Sequence, residues 1–173
     1  MPEAVTYSAR ERLRDGRAFE LRALRPDDGG DMLAAVDRLS MQSRSRRFFT
    51  PKRQFNPQEI AFFLNVDFVK HVALVAAIEE DGEQVIVGGG RYIITQPRMA
   101  ELAFAVVDQY QGQGIGAALL RHLAILARSA GLELLFAEVL AENTGMLKVF
   151  DRSGLRATKT READVVHVSL QLS

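Results

Sequence analysis

The sequence predicts an α/β chain of the α+β kind: a central mixed sheet of about six to seven strands flanked by about four helices. Three observations carry this. Short apolar or alternating blocks of strand length recur along the chain. Between them lie segments whose apolar residues keep helical spacing. Glycine, proline and Asx residues stand at the joints between the two. The resulting order is β-α-α-β-β-β-α-β-α-β, in one domain spanning residues 18–173 after an N-terminal extension, 1–17.

The first strand is "AFELRALR", residues 18–25, in which Phe19, Leu21 and Ala23 alternate with other neighbours. A helix follows, with Asp31 as N-cap and a stripe through Met32, Ala35, Val36 and Leu39. Residues 44–53, "RSRRFFTPKR", carry five basic side chains and no acid, and read as loop or broken helix. In "NPQEIAFFLN" Asn56 is the cap, Pro57 the first helical residue and Glu59 three on from the cap. That is a strong helix start, leading into Ile60, Phe63 and Leu64.

"HVALVAAIEE" and "QVIVGGGRYII" read as two strands of a hairpin turned by Asp81-Gly82. Gly88, Gly89 and Gly90 inside the second predict a bulge or a close backbone approach. "AELAFAVV", 100–107, is apolar except at Glu101, as a central buried strand is. A helix runs from about Gly114 to Ala130 on Ile115, Leu119, Leu120, Leu123 and Leu126, with Gly131 as its C′ residue. "LELLFAEVL" is a strand. "NTGMLKVFDRSG" is a short helix between Asn143 and Gly154. "VVHVSLQL" alternates as a half-buried strand does.

Composition narrows the function. The chain is 47% hydrophobic and 25% charged, ordinary for a globular domain. With no cysteine there is no disulfide, thiolate metal ligand or thiol nucleophile, which fits a reducing cytoplasm. His71, His122 and His167 lack the spacing of a zinc site, so no metal is expected. No apolar run approaches the ~18 residues that span a bilayer, and no membrane partner is expected. The 22 basic residues balance the 22 acidic ones, so no global field attracts nucleic acid.

The most informative stretch is "DQYQGQGIGAALLRHL", residues 108–123, with three glycines in five positions at the start of a helix. A strand, a glycine-rich turn and a helix N-terminus together make an anion site. The first helical N–H groups lack internal partners, and the macrodipole places about half a positive charge there. Glycines let that backbone approach a phosphate with no Cβ in the way. Amides alone can do the binding, so the loop needs no cationic side chain.

Several phosphate motifs compete for these residues. A P-loop requires a Lys that is missing. The dinucleotide fingerprint can be laid on Gly112, Gly114 and Ala117, but "DQYQ" separates the strand from the first glycine and most of the chain precedes the motif. A purely structural glycine turn is a further reading. The phrasing that fits is [QR]-x-x-G-x-[GA], met by Gln111, Gly114 and Gly116.

With this motif, the strand "AELAFAVV" before it, the long helix after it and "ENTGMLKVFDRSGL" downstream, the sequence resembles the GNAT superfamily of acyl-CoA N-acyltransferases. The resemblance implies acetyl-CoA as cosubstrate. Its pyrophosphate would lie on the loop from Gln111 to Ala117, chiefly on the N–H groups of Gly112, Gln113, Gly114, Ile115 and Gly116. The pantetheine arm would pair with the strand at Ala105 and Val107, where that strand and the next splay apart. Asn143 matches the asparagine that contacts the arm; it also reads as a plain N-cap, and both can hold.

Acetyl transfer needs a neutral amine, although a lysine amine has a pKa near ~10.4 in water. It also needs donors for the developing oxyanion and an outlet for the leaving thiolate. Glu101 is the candidate base. It is the lone acid of an apolar strand, where burial would favour proton uptake. It stands ten residues before Gln111, where GNAT enzymes that acetylate protein lysines resemble it in carrying a glutamate. The alternative is a strand-end Glu facing solvent. Many GNAT enzymes place a tyrosine seven residues after the asparagine as acid; here that position is Phe150, which has no proton to give.

The blend of Arg44, Arg46, Arg47, Phe48 and Phe49 resembles the acceptor region of bacterial protein lysine acetyltransferases, and otherwise reads as a solvated basic loop. The expected activity is therefore acetyl transfer to an amine, foremost the ε-amine of a protein lysine. The alternatives are a small-molecule amine acetyltransferase, or an acyl-CoA-binding regulatory module with little turnover. The partners implied are acetyl-CoA and the acceptor; a monomer or homodimer is expected.

Overall fold

The Asp81-Gly82 turn folds the middle of the molecule. Both residues have positive φ, 51° and 82°, which a two-residue hairpin of matching twist requires. It joins β3 (His71–Glu80) to β4 (Glu83–Gln96). The computed structural model describes residues 4–37 and 66–172. The remaining strands are β1 (Ser8–Arg12), β2 (Ala18–Ala23), β5 (Met99–Val106), β6 (Leu134–Leu140), β7 (Arg156–Glu162) and β8 (Val165–Gln171). The helices among the described residues are α1 (Gly29–Asp37), α2 (Ile115–Ser129) and α3 (Thr144–Asp151). The expected helix from Asn56 lies outside them.

The eight strands among the described residues form one sheet in the order β1-β2-β3-β4-β5-β6-β8-β7. Every neighbouring pair is antiparallel except β5–β6. The sheet is thus mixed, as expected, with more strands than expected. β1 lies in the stretch expected to be an extension. β7 has every residue exposed and so shows no apolar alternation to read.

One face of the sheet is covered by α2. Ile115, Leu119, Leu120, Leu123 and Leu126 are buried there against Tyr92, Leu102 and Phe104. The glycines of β4 make this packing possible. The extra residue of a bulge, Val87, falls just before Gly88, since Ala76 pairs with Gly88 and Ala77 with Ile86. A Cβ on Gly90 would lie 3.0 Å from both Leu123 Cδ1 and Phe104 Cβ. The opposite face carries a smaller apolar cluster of Leu24, Ala73, Val75 and Ile86, with Ala35 of α1 packed on it. Met32 and Val36 side chains and Leu39 lie outside what is described.

The start of α1 differs from expectation. Asp31 does not cap it, because a 3-10 turn at Pro26–Asp28 leads straight into Gly29. Asp28 does the capping work instead, accepting from Arg25 N at 2.7 Å and from the Arg22 guanidinium at 2.9 and 3.0 Å. Burial pushes its carboxyl up, but the hydrogen bonds from Arg22 and Arg25 outweigh that and hold it below the usual value.

The N-terminal segment is tied to α2 by a polar chain. Glu11 Oε2 lies 2.7 Å from His122 Nε2. A carboxylate only accepts, so Nε2 carries the proton and Nδ1 accepts from the Tyr7 hydroxyl at 2.5 Å. Arg121 donates to the other Glu11 oxygen at 2.7 Å. Among the described residues no helix is long and apolar enough to cross a membrane.

Because Gly90 has no room for a side chain, Gly90→Ala should cost about 1–3 kcal/mol of stability by overpacking. Urea unfolding followed by circular dichroism checks this; an unchanged midpoint would show that Leu123 yields without strain.

Candidate active site

β5 and β6 run parallel for three residue pairs only: Met99 with Leu134, Ala100 with Leu135, Glu101 with Phe136. The two strands are pinned at this end, where Glu133 N and Leu134 N both reach Arg98 O at 2.9 and 3.1 Å. Beyond Glu101 they part. The gap becomes a cleft of about 560 Å³, within the range of small-molecule sites. Its walls are Leu102 to Val106 of β5 and Ala137 to Val139 of β6, and its far end is the glycine loop with α2 and α3.

Apolar bulk lines the fork. Phe150 of α3 is only 1% exposed and its ring meets Phe104 at 5.8 Å between centroids. The position expected to lack an acid is therefore an apolar wall as well.

The glycine loop has the geometry of an anion cradle. Gly112 and Gly114 take φ of 80° and 98°, which L side chains avoid. Gly114 is the N-cap of α2, and no acidic residue stands in the first turn. The first-turn N–H groups therefore face the cleft with the helix dipole behind them. Gln111, Gly112, Gly114, Ile115, Gly116 and Ala117 line the cleft; Gln113 does not. The Gln113 carbonyl accepts from Arg14 N at 3.1 Å, and its side-chain Oε1 is buried with no hydrogen-bond partner.

Of the two residues expected to face the cofactor arm, Ala105 lines the cleft and Val107 does not. Val107 is buried and its N–H donates to Val87 O at 2.9 Å, on the β4 side. Peptide groups alternate along a strand, so Val106 turns the other way. Its carbonyl accepts from Gln111 Nε2 at 3.0 Å. Asn143 lines the cleft and also caps α3, accepting from Met146 N at 3.2 Å through Oδ1. The two readings of this residue coincide in one side chain.

Glu101 stands where β5 and β6 begin to part, on the face away from α2, and it is exposed. The burial expected of it is absent, because strand alternation puts Leu102 and Phe104 on the α2 face and Glu101 on the other. Arg44, Arg46, Arg47, Phe48 and Phe49 lie outside the described residues. Among the described residues no group of His, Asp and Glu is placed to hold a metal ion.

Four further side chains bring polar groups to the cleft. Tyr110 is buried on the cleft wall, and its hydroxyl donates to Glu80 Oε2 at 2.5 Å. Burial, then that hydrogen bond, raise the phenol above its ordinary value, so it stays protonated and engaged. Arg14, Lys148 and Arg152 line the cleft with exposed side chains. Lys148 and Arg152 share a helix face by their spacing of four, a signal present in the sequence. Arg14 arrives by tertiary folding of the β1–β2 hairpin, which no local pattern announces.

The profile of the Acetyltransferase (GNAT) family matches residues 38–155. The chain belongs to the GNAT acetyltransferase family. An acetyltransferase of Pseudomonas aeruginosa is 34% identical over 137 residues, covering 79% of this chain and 74% of that one. Acetyltransferase Pat of Mycolicibacterium smegmatis is 31% identical over 144 residues, which are 82% of this GNAT chain but 42% of Pat. The chain thus spans less than half the length of that relative. The crystal structure of the GNAT domain of S. lividans PAT superposes with a TM-score of 0.85 at 32% identity, over 95% of this chain and 96% of that one. The protein is an acetyltransferase of GNAT fold, and the splayed strands and glycine turn are its own residues' version of that fold.

A Cβ on Gly114 meets nothing within 4 Å, so Gly114→Ala tests conformation alone. It should cost about 1–2 kcal/mol through the positive φ. Thermal unfolding of the two proteins measures it.

Proposed function

We propose that this acetyltransferase moves an acetyl group from acetyl-CoA to the ε-amine of a protein lysine. The observation that carries the reading is the wedge between β5 and β6. It carries the glycine loop at one end, and at the other the pairing of the two strands stops at Glu101 and Phe136. A donor laid along the cleft and an acceptor arriving at Glu101 would meet there.

When bound, acetyl-CoA supplies an activated acyl group; the remaining requirements fall on the chain. The N–H groups of Gly112, Gly114, Ile115 and Gly116 would hold the pyrophosphate, with Gln113 supporting the loop from behind. The unmatched β5 edge at Phe104 and Val106, rather than Val107, would pair with amides of the pantetheine arm. Glu101 would accept the proton that the amine loses as the carbonyl is attacked. Its exposure suits this role, since the acceptor must reach it from solvent. Neither nearby aromatic residue donates a proton to the leaving thiolate: Phe150 has none, and Tyr110 commits its own to Glu80. Solvent in the cleft supplies it.

The acceptor class rests on the resemblance of the basic-aromatic stretch at 44–49 to protein lysine acetyltransferases. A basic loop suits an acid-flanked lysine better than a polyamine, whose charge it would repel. A second reading, an acyl-CoA-binding module with little turnover, is favoured by Phe150. Thiol release with protein and polyamine acceptors separates these readings.

Acetyl-CoA at about 100 times its dissociation constant should add roughly 2.7 kcal/mol and raise the melting midpoint by several degrees. NAD should leave it in place. No rise with saturating acetyl-CoA would overturn the reading. Glu101→Gln should lower kcat by about 10²–10⁴-fold with acetyl-CoA affinity unchanged. Undiminished turnover would remove Glu101 from the base role.

A further inference from the structure

The turn between β1 and β2 is held by its own bonds. Leu13 N donates to Arg17 O at 2.8 Å and Gly16 N to Leu13 O at 2.9 Å. Asp15 Oδ1 accepts from Arg17 N at 3.0 Å, and Asp15 Oδ2 accepts from Nε and Nη2 of the Arg17 guanidinium at 3.0 and 2.9 Å. Both side chains are exposed, 53% and 37%, and an exposed ion pair adds little stability. What this pair does is fix a direction. The guanidinium lies over the ring of Tyr110, 5.4 Å from its centroid, within reach of a cation–π contact.

Tyr110 is where the glycine loop begins. It closes the 3-10 turn Asp108–Tyr110 and leads into Gln111 and Gly112. Its hydroxyl is held by Glu80 at the end of β3, and its face by Arg17. Three residues on, Gln113 O accepts from Arg14 N. One helical turn into α2 and beyond, Arg121 and His122 meet Glu11. Each of these three anchors has its partner within residues 11–17. Gly112 and Gly114, the two loop residues of positive φ, therefore lie between fixed points: the first between Tyr110 and Gln113, the second between Gln113 and α2. Without such restraint a glycine backbone has many other conformations open to it. Neither Asp15 nor Arg17 lines the cleft.

We infer that Arg17 is a positioning residue, an inference that rests on the acyl-CoA reading above: aimed by Asp15, it packs on Tyr110 and keeps the glycine loop in the form that takes the anionic donor, without touching that donor. A loop already ordered loses less conformational freedom on binding. The clamp therefore acts on affinity for the donor rather than on stability of the fold. The alternative is that Arg17 acts only as a distant positive charge. The two accounts give Asp15 opposite roles. If charge alone mattered, neutralising Asp15 would strengthen the field on an anion and tighten binding. In a clamp, neutralising Asp15 releases the guanidinium from its fork and weakens binding.

The test is titration calorimetry of acetyl-CoA against the wild-type chain, Arg17→Ala, Arg17→Lys and Asp15→Asn, with melting midpoints measured alongside. Arg17→Ala should weaken binding about two- to fivefold, the worth of one exposed cation–π contact. Arg17→Lys keeps a cation for the ring and should recover part of the loss. Asp15→Asn should weaken binding too, although it makes the turn more positive. All four proteins should share one melting midpoint. Tighter binding by Asp15→Asn would overturn the inference, and so would undiminished affinity in Arg17→Ala. A midpoint that falls in step with the affinity would assign Arg17 to the fold and overturn it as well. If the wild type does not bind acetyl-CoA, the acyl-CoA reading itself fails, and the inference with it.

Discussion

Two neighbouring strands that stop pairing after three residues set the terms for everything else in this molecule. Parallel pairing between β5 and β6 ends at Glu101 and Phe136. Past that point each strand keeps its outer neighbour, β4 or β8, and loses its inner one. An unpaired peptide edge inside a sheet is costly unless something satisfies it. The fold tolerates it because the fork is lined by Phe104 and Phe150 rather than closed by them, and because α3 stands across its wide end. The pin at Arg98 and the aromatic wedge act in opposition, and the cleft is the result.

From that fork the functional geometry follows without special pleading. The strand that loses its partner delivers the chain directly into the glycine loop, so the unmatched edge and the helix N-terminus share one cavity. Strand alternation then sorts chemistry by face. Leu102 and Phe104 secure α2, while Glu101 looks out on the other side. In the proposed reaction the site would therefore divide into a donor side, built largely of main chain, and an acceptor side, where the Glu101 side chain would act.

The sequence was legible wherever local physics decided the structure. The Asp81-Gly82 hairpin, the stripe of α2 with Gly131 beyond it, and Asn143 as cap all stand where their residue types require. The glycine turn that opens α2 was readable from spacing alone. Misreadings occurred where tertiary partners decide. β7, "RATKTRE", has no buried face, so hydrophobic periodicity could not reveal it. β1 alternates only between exposed and half-buried, so it shows no core-facing pattern that separates it from an extension. Asp31 looked like a cap, but Asp28 had Arg22 across the sheet edge to hold it. Glu101 was expected in a buried strand; the strand is central, but that position lies on the face α2 does not cover. Val107 turns its N–H to β4 rather than to the cleft, and no sequence pattern reports which way a peptide group points.

The N-terminal hairpin has a further consequence for how the molecule tolerates shortening. Removing residues 4–17 would do more than discard a surface ribbon. Leu13 would leave the main core. His122, buried on α2, would lose both Tyr7 and Glu11 and face a void with unmet ring nitrogens. β2 would become the rim of the sheet, presenting an unguarded row of amides and carbonyls to any other chain in solution. A trimmed protein of this kind would retain the motif by which it is recognised, yet be prone to self-association. The boundary of the folded unit is thus drawn by strand edges and buried polar pairs, well upstream of the residues that carry the chemistry.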